Sequence, residues 1–234
     1  MAVREHGVDS IIHVVKRGAR GLDIVRDESD KRRFVESLFY LNDAFTDTNW
    51  RKNIKGLSLF SRPEHWPDPD PLVHVLAWTL MPNHFHLLLR EIREGGIAMF
   101  MQRLCGSMSA ASNAKYGETG SIFQGPYRSK LVDEDTYLRY LAFYIQVKNV
   151  LELRPDGLKR AIAEFNKAWE WAITYSYSSL GCYIRNEDSP VIGDHLLSEL
   201  FSDCNVFKEE AREMLLTHLE YHDEAYADIA LEAW

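Results

Sequence analysis

The sequence predicts an α+β fold: an antiparallel sheet with packed helices, followed by a small helical C-terminal region. Three observations predict it. Apolar runs of strand length alternate with stretches of helical spacing in the order βαββαβ. Two of the strands are separated by a turn of only three residues, Met81-Pro-Asn83, and beyond Pro155-Asp-Gly157 the strand pattern gives way to helix. With antiparallel pairing, that order is a ferredoxin-like sandwich.

Taken in order, Ile11-Ile-His-Val-Val15 is the first strand, and the basic, glycine-punctuated stretch Lys16–Gly21 turns away from it. Asp30 is placed as the N-cap of a helix in which Phe34, Leu38, Leu41 and Phe45 recur at helical spacing. From Thr46 to Pro71 the periodicity is lost, and Pro63, Pro67, Pro69 and Pro71 mark a long loop or insertion, uncommon unless functional or mobile. Val73–Leu80 and His84–Arg90 then form a hairpin. Gly96–Tyr116 carries Ile97, Phe100, Met101, Leu104 and Met108 on one helical face and stops at Gly117. Arg128–Val132 supplies the last strand, and Asp133 or Asp135 caps a long helix running to about Leu153. The expected division is a main body over residues 1–160 and an acidic helical region over 161–234. The latter is interrupted at Tyr175–Tyr183 and Pro190, with one or two amphipathic helices from Leu196 to Trp234 that pack on the body.

The 234 residues, 46% hydrophobic and 26% charged, are enough for one substantial core. No run approaches the roughly 18 apolar residues of a membrane span, and the opening Met1-Ala-Val-Arg-Glu-His6 lacks the apolar centre of a secretion signal. A cytoplasmic location without a membrane partner is expected. Cys105, Cys182 and Cys204 are odd in number and far apart, which points to neither a disulfide framework nor a Cys-x-x-Cys metal site. The net charge of -8 is unevenly spread: residues 1–160 hold 23 Lys+Arg against 20 Asp+Glu, the remainder 4 against 15. An acidic tail thus follows a mildly basic body, and a nucleic-acid partner is not excluded.

His84 and His86 stand two apart in a strand, so both imidazoles project from one face while Phe85 points to the other. Two imidazoles on one face can share a divalent cation, with phosphate oxygens and water completing the shell. The spacing alone also fits two ordinary strand histidines.

Its surroundings are more specific. Leu80-Met-Pro-Asn-His-Phe-His-Leu-Leu-Leu89 resembles the signature of the HUH single-strand DNA transposases, in particular the REP-associated tyrosine transposases. Other stretches agree in order: Ile12-His-Val-Val-Lys-Arg-Gly18 resembles the family's opening strand and Arg-Gly turn, Gly120–Lys130 its lead into the last strand, and Tyr137–Ile145 its catalytic helix. A weaker echo falls at Tyr177-Ser-Ser179. The resemblance covers residues 11 to about 153. It implies an HUH nuclease fold that cleaves and rejoins single-stranded or hairpin DNA, with His84 and His86 binding a divalent ion, Mg or Mn, as monomer or homodimer.

The resemblance also implies a tyrosine nucleophile at Tyr144, which would form a 5′-phosphotyrosine link and leave a free 3′-OH. Tyr140, one helical turn earlier on the same face, is the rival, and either can be a core aromatic. Four residues past the nucleophile such proteins usually carry Asn or Gln as a third metal ligand; here Lys148 stands there. An ammonium offers no lone pair to a cation. Asn149 would serve only if the helix were locally distorted; otherwise two histidines, DNA oxygens and water suffice, with Lys148 on the phosphate or assisting the tyrosine. A domesticated protein that binds structured DNA without cutting it is the alternative, and a metal-dependent hydrolase of nucleotides a third reading.

A single-stranded partner needs cations along its backbone and flat side chains for its bases. Lys16, Arg17 and Arg20 in the first turn, and Arg128 and Lys130 beside Tyr127, are the expected contacts, with Arg51, Lys52 and Lys55 beside Trp50 as a further group. His13 and His74 are expected to pack or hydrogen-bond within their strands. His65, His195, His218 and His222 are read as surface or incidental.

Overall fold

The computed structural model describes residues 7–194, 196–220 and 231. His195, His222 and most of the chain after Glu220 lie outside the described residues. Four strands, β1 (Ile11–Arg17), β2 (Val73–Leu80), β3 (His84–Glu91) and β4 (Arg128–Val132), form one antiparallel sheet in the order β2-β3-β1-β4. With α1 (Glu28–Tyr40) following β1 and α3 (Gly96–Tyr116) following β3, this is the ferredoxin-like βαββαβ arrangement. Helix α2 (Trp50–Asn53) interrupts the long connection after α1.

Side-chain alternation divides the sheet into two faces. Ile12 and Val14 of β1 and Phe85, Leu87 and Leu89 of β3 pack with Phe34 and Leu38 of α1 and Phe100 and Leu104 of α3. The opposite face carries Ala77 and Leu88 and is covered by α4 (Asp135–Phe143), α5 (Asn149–Glu152), α6 (Gly157–Ala163), α7 (Phe165–Thr174), α8 (Leu180–Ile184) and α9 (Cys204–Glu220), which share one apolar cluster with it. A bulge between Val75 and Ala77 adds one residue to β2 and reverses its alternation. Before it Val73 and Val75 face α1; after it Trp78 and Leu80 do, so Thr79, paired with His86, turns to the second face.

Several boundaries differ from expectation for local reasons. The N-cap of α1 is Asp27 rather than Asp30, because the Asp27 carboxylate accepts from the backbone N–H groups of Ser29 and Asp30. The helix ends at Tyr40, which leaves Phe45 beyond it. Residues 46–71 are ordered against α1 by a small aromatic cluster: Tyr40 stacks on Trp50 at 5.4 Å, Trp66 packs on Tyr40, and Arg62 reaches Asp43 at 2.7 Å. Helix α3 stops where Gly117 takes φ +68, a left-handed conformation that glycine adopts without steric cost. The segment Tyr177–Ser179 lies along the outer edge of β2, with Leu80 N–H on the Tyr177 carbonyl and Ser179 N–H on that of Trp78. It pairs an edge that would otherwise be open.

The long helix after β4 is not a uniform α-helix. Between α4 and α5, Tyr144–Lys148 form a π-helical turn, closed by the Asn149 N–H on the Tyr144 carbonyl. Thr79 donates its hydroxyl to the Ile145 carbonyl, and the Ser179 hydroxyl bonds the Gln146 side-chain oxygen at 2.9 Å. The turn is thus braced from β2 and its neighbouring edge, the side-chain insertion that local irregularities in a helix usually require. Among the described residues no helix is long and apolar enough to cross a membrane.

Candidate functional site

The second face of the sheet brings His84, His86 and Tyr144 together. The rings of His84 and His86 are 5.1 Å apart, and Tyr144 lies edge-on to His86 at 5.7 Å. Tyr144 is 1% exposed. Tyr140 sits one turn earlier, half-buried, with its ring 6.0 Å from that of Tyr144. The strand fixes the histidines and the helix fixes the tyrosine, so the group is held from two elements far apart in sequence.

Register explains a third imidazole. Val15 is paired with His86, so His13, two residues away on the same face, is its diagonal neighbour. His13 is fully buried, its ring lies nearly parallel to that of His86 with centroids 5.3 Å apart, and the two meet edge to edge with His13 Nε2 3.0 Å from His86 Nδ1. His84 has a comparable partner in Asn83, whose Oδ1 is 2.7 Å from His84 Nδ1. The Asn83 amide also donates from Nδ2 to the Gly21 carbonyl at 3.3 Å, which sets its orientation and leaves Oδ1 as the acceptor for His84 Nδ1–H.

Lys148 is buried at 4% exposure. Its Nζ lies 3.2 Å from the Tyr144 hydroxyl and 2.7 Å from Glu152 Oε1. Asn149 lies one π turn after Tyr144. In an ideal α-helix five residues would carry its side chain roughly 140° round from Tyr144; the i→i+5 turn winds it back toward that face. Asn149 is fully buried, and neither its Oδ1 nor its Nδ2 has a hydrogen-bond partner among the described residues. Leaving a buried amide so placed costs free energy unless a ligand completes it.

Among the described residues no group of three His, Cys, Asp or Glu side chains is arranged to hold a metal ion. A set built from two imidazoles and an amide oxygen fits a divalent cation by its chemistry, and Asn149 offers the unsatisfied amide such a set requires. Lys148 cannot contribute a lone pair while its amine is paired with Glu152 as an ammonium.

The cations expected at a partner surface divide between the two faces. Arg17 is paired with His84, Arg128 with Val15 and Lys130 with His13, so all three stand on the histidine face. Lys130 also lies over the Tyr137 ring at 5.2 Å. Arg20 is exposed in the turn beyond β1, in a left-handed conformation at φ +57. Lys16 is placed differently. Paired with Phe85, it points to the opposite face, where its amine bonds the Gly125 carbonyl and lies 5.4 Å from the Phe123 ring centre, and burial pulls its ammonium below the usual lysine value. Arg51, Lys52 and Lys55 are exposed on the insertion beside α1, on that same side, with Arg51 paired to Glu36.

Two further histidines are not where the sequence places them. His218 of α9, read as incidental, packs edge-on against Tyr144 at 6.2 Å. The stripe Phe207, Ala211 and Leu215 already points this face of α9 at the core, and His218 continues it. His74 pairs with Asp194 at 3.5 Å rather than within its own strand. His65 is exposed as expected.

No family model matches the chain, and no curated protein does. Among solved structures it is similar to a REP-associated tyrosine transposase bound to a REP hairpin, at 10% identity and a TM-score of 0.44, over 83% of this chain and 92% of that one.

Proposed function

We propose that this protein is a transposase-like enzyme that cleaves and rejoins single-stranded or hairpin DNA through Tyr144. The observation that carries the reading is the meeting of Tyr144 with the His84–His86 pair on one face of the sheet. It adds to the HUH-type resemblance of Met81-Pro-Asn-His-Phe-His86. A tyrosine beside the imidazole pair, with a buried, unsatisfied amide one π turn further on, matches a phosphoryl transfer that runs through a covalent enzyme intermediate.

In this reading His84, His86 and Asn149 hold a divalent ion, Mg or Mn, which when bound polarises the scissile phosphate. The Tyr144 oxygen attacks phosphorus, and the proton it gives up is matched in the balance of the step by the one that the leaving 3′ oxygen takes up. The bond from phosphorus to the 3′ oxygen breaks, and that oxygen leaves with the electron pair and takes up a proton to become a free 3′-OH. The 5′-phosphate remains on Tyr144, and reversal of the step rejoins the strand without ATP. Lys148, already on the tyrosine hydroxyl, orients it and supplies positive charge for the incoming phosphate. Arg17, Arg20, Arg128 and Lys130 carry the DNA backbone. Division into a catalytic body over residues 1–160 and an acidic helical region over 161–234 belongs to the same reading.

The test is covalent capture of a labelled hairpin oligonucleotide with Mn, read as a shifted band on a denaturing gel. Wild type and Tyr140→Phe should capture it, and Tyr144→Phe should not. Capture by Tyr144→Phe would remove Tyr144 from its role. The second reading, a domesticated protein that binds structured DNA without cutting it, is favoured by the burial of Tyr144 and by Lys148 bonding its hydroxyl. Hairpin binding with no covalent band from wild type would establish it.

A further inference from the structure

We infer that His13, together with Asn83, forms an outer shell that fixes His86 and His84 in one tautomer and one orientation, so that each presents Nε2 to the cation. This rests on the reading of His84 and His86 as ligands. The observation behind it is a symmetry of contacts: both imidazoles are engaged through Nδ1, one by His13 Nε2 at 3.0 Å and the other by Asn83 Oδ1 at 2.7 Å. Neither partner lies on β3 itself.

Chemistry assigns the protons. Asn83 Oδ1 can only accept, so His84 Nδ1 donates, and in the neutral ring the lone pair falls on Nε2. For His86 the pair with His13 can run either way. Only the arrangement in which His86 Nδ1–H donates to His13 Nε2 leaves a lone pair on His86 Nε2, and it places the remaining proton of His13 on Nδ1. His13 therefore acts as an acceptor. It is a positioning residue, since it reaches the cation only through His86. A partner that orients a ligating imidazole and raises its basicity typically changes metal affinity by about 10–100-fold. The fold supplies the device: pairing of Val15 with His86 puts residue 13 on the diagonal, and full burial holds the two rings edge to edge in nearly parallel planes.

The experiment measures Mn affinity of the full chain by the loss of the free-ion EPR signal, with no DNA present. His13→Met removes a strong acceptor at similar size, while His13→Gln keeps one in its side-chain oxygen. The expected result is a Mn affinity at least tenfold weaker in His13→Met and largely restored in His13→Gln, with both melting near wild type in EDTA. A folded His13→Met that binds Mn like wild type overturns the inference. Because residue 13 is buried, a second measurement uses the unaltered protein: long-range 1H–15N spectra of the histidine rings with Zn, assigned by His86→Gln. Zn on Nε2 with a proton on Nδ1 of His86 supports the inference, and the opposite pattern overturns it. Loss of Mn in His84→Ala and His86→Ala but not in His13→Met would sink this inference alone. Absence of Mn binding in wild type would sink the ligand reading with it.

Discussion

The amine of Lys148 rests 3.2 Å from the hydroxyl of Tyr144 and 2.7 Å from the carboxylate of Glu152, so the tyrosine oxygen is tethered to a buried lysine that is itself paired with an exposed glutamate. A hydrogen bond that involves a charged group contributes about 1.5–3 kcal/mol. Removing it should leave the Tyr144 ring in place, held by its packing, but take away the group that holds its hydroxyl. Lys148→Met is therefore expected to slow covalent capture about 10–100-fold, without the complete loss expected of Tyr144→Phe. Single-turnover capture rates decide this, and a Lys148→Met rate equal to wild type would show that the tether plays no part.

The π turn makes a separate prediction at Asn149. If its buried amide completes the cation's shell, Asn149→Ala should weaken Mn binding while Asn149→Asp, which retains an oxygen at the same reach, should hold or strengthen it. Thr79→Val tests the brace beneath. It leaves the Ile145 carbonyl without the Thr79 hydroxyl in a buried place, a loss of about 1–3 kcal/mol in a denaturant melt. An unchanged melt would mean that the turn does not depend on Thr79.

Acid sensitivity follows from the contact between the start of α1 and the end of α3. Bonds from Lys115, from the Ser29 side chain and from the Asp30 N–H hold the Asp27 carboxyl well below the usual carboxylate range. A depressed folded-state value gives stability that is fully present above the unfolded value of about 3.9 and is lost as the pH falls through the folded one. Wild type should lose stability progressively below about pH 4, and Asp27→Asn should start lower and fall less steeply. Urea melts between pH 6 and pH 2.5 would show the difference, and parallel curves would contradict it.

What could be read from the sequence follows the physics of each feature. The strands and the shared face of His84 and His86 rest on a period of two, which needs no partner to be seen. The same alternation, extended from Ile12 and Val14, puts Lys16 on the face covered by α1 and α3; the prior that lysines are exposed conceals it. The contact of His13 with His86 depends on strand register, and the placement of Thr79 on a bulge, and neither exists until β1, β2 and β3 are paired. The π turn was hardest to foresee. Tyr144-Ile-Gln-Val-Lys148 has no glycine or proline to mark it, and the bonds that brace it, from Thr79 and Ser179, come from outside the helix.

The two faces of the sheet give the last prediction. Arg128 and Lys130 project on the histidine side of the edge strand β4, whereas Lys16 is buried against Phe123 on the other. Each phosphate neutralised by a cation contributes roughly 0.7 to the slope of log affinity against log salt for single strands, and about 0.9 for duplex. An Arg128→Ala, Lys130→Ala double variant should therefore lower that slope by about 1.4–1.8 for a hairpin oligonucleotide, with weaker binding at low salt. Lys16→Met, which removes a charge of the same sign from a neighbouring strand, should leave the slope unchanged even if the fold is less stable. Fluorescence anisotropy titrations from 50 to 300 mM salt would separate the cases. Equal slopes for wild type and the double variant, or a reduced slope for Lys16→Met, would mean that DNA does not lie along the histidine face.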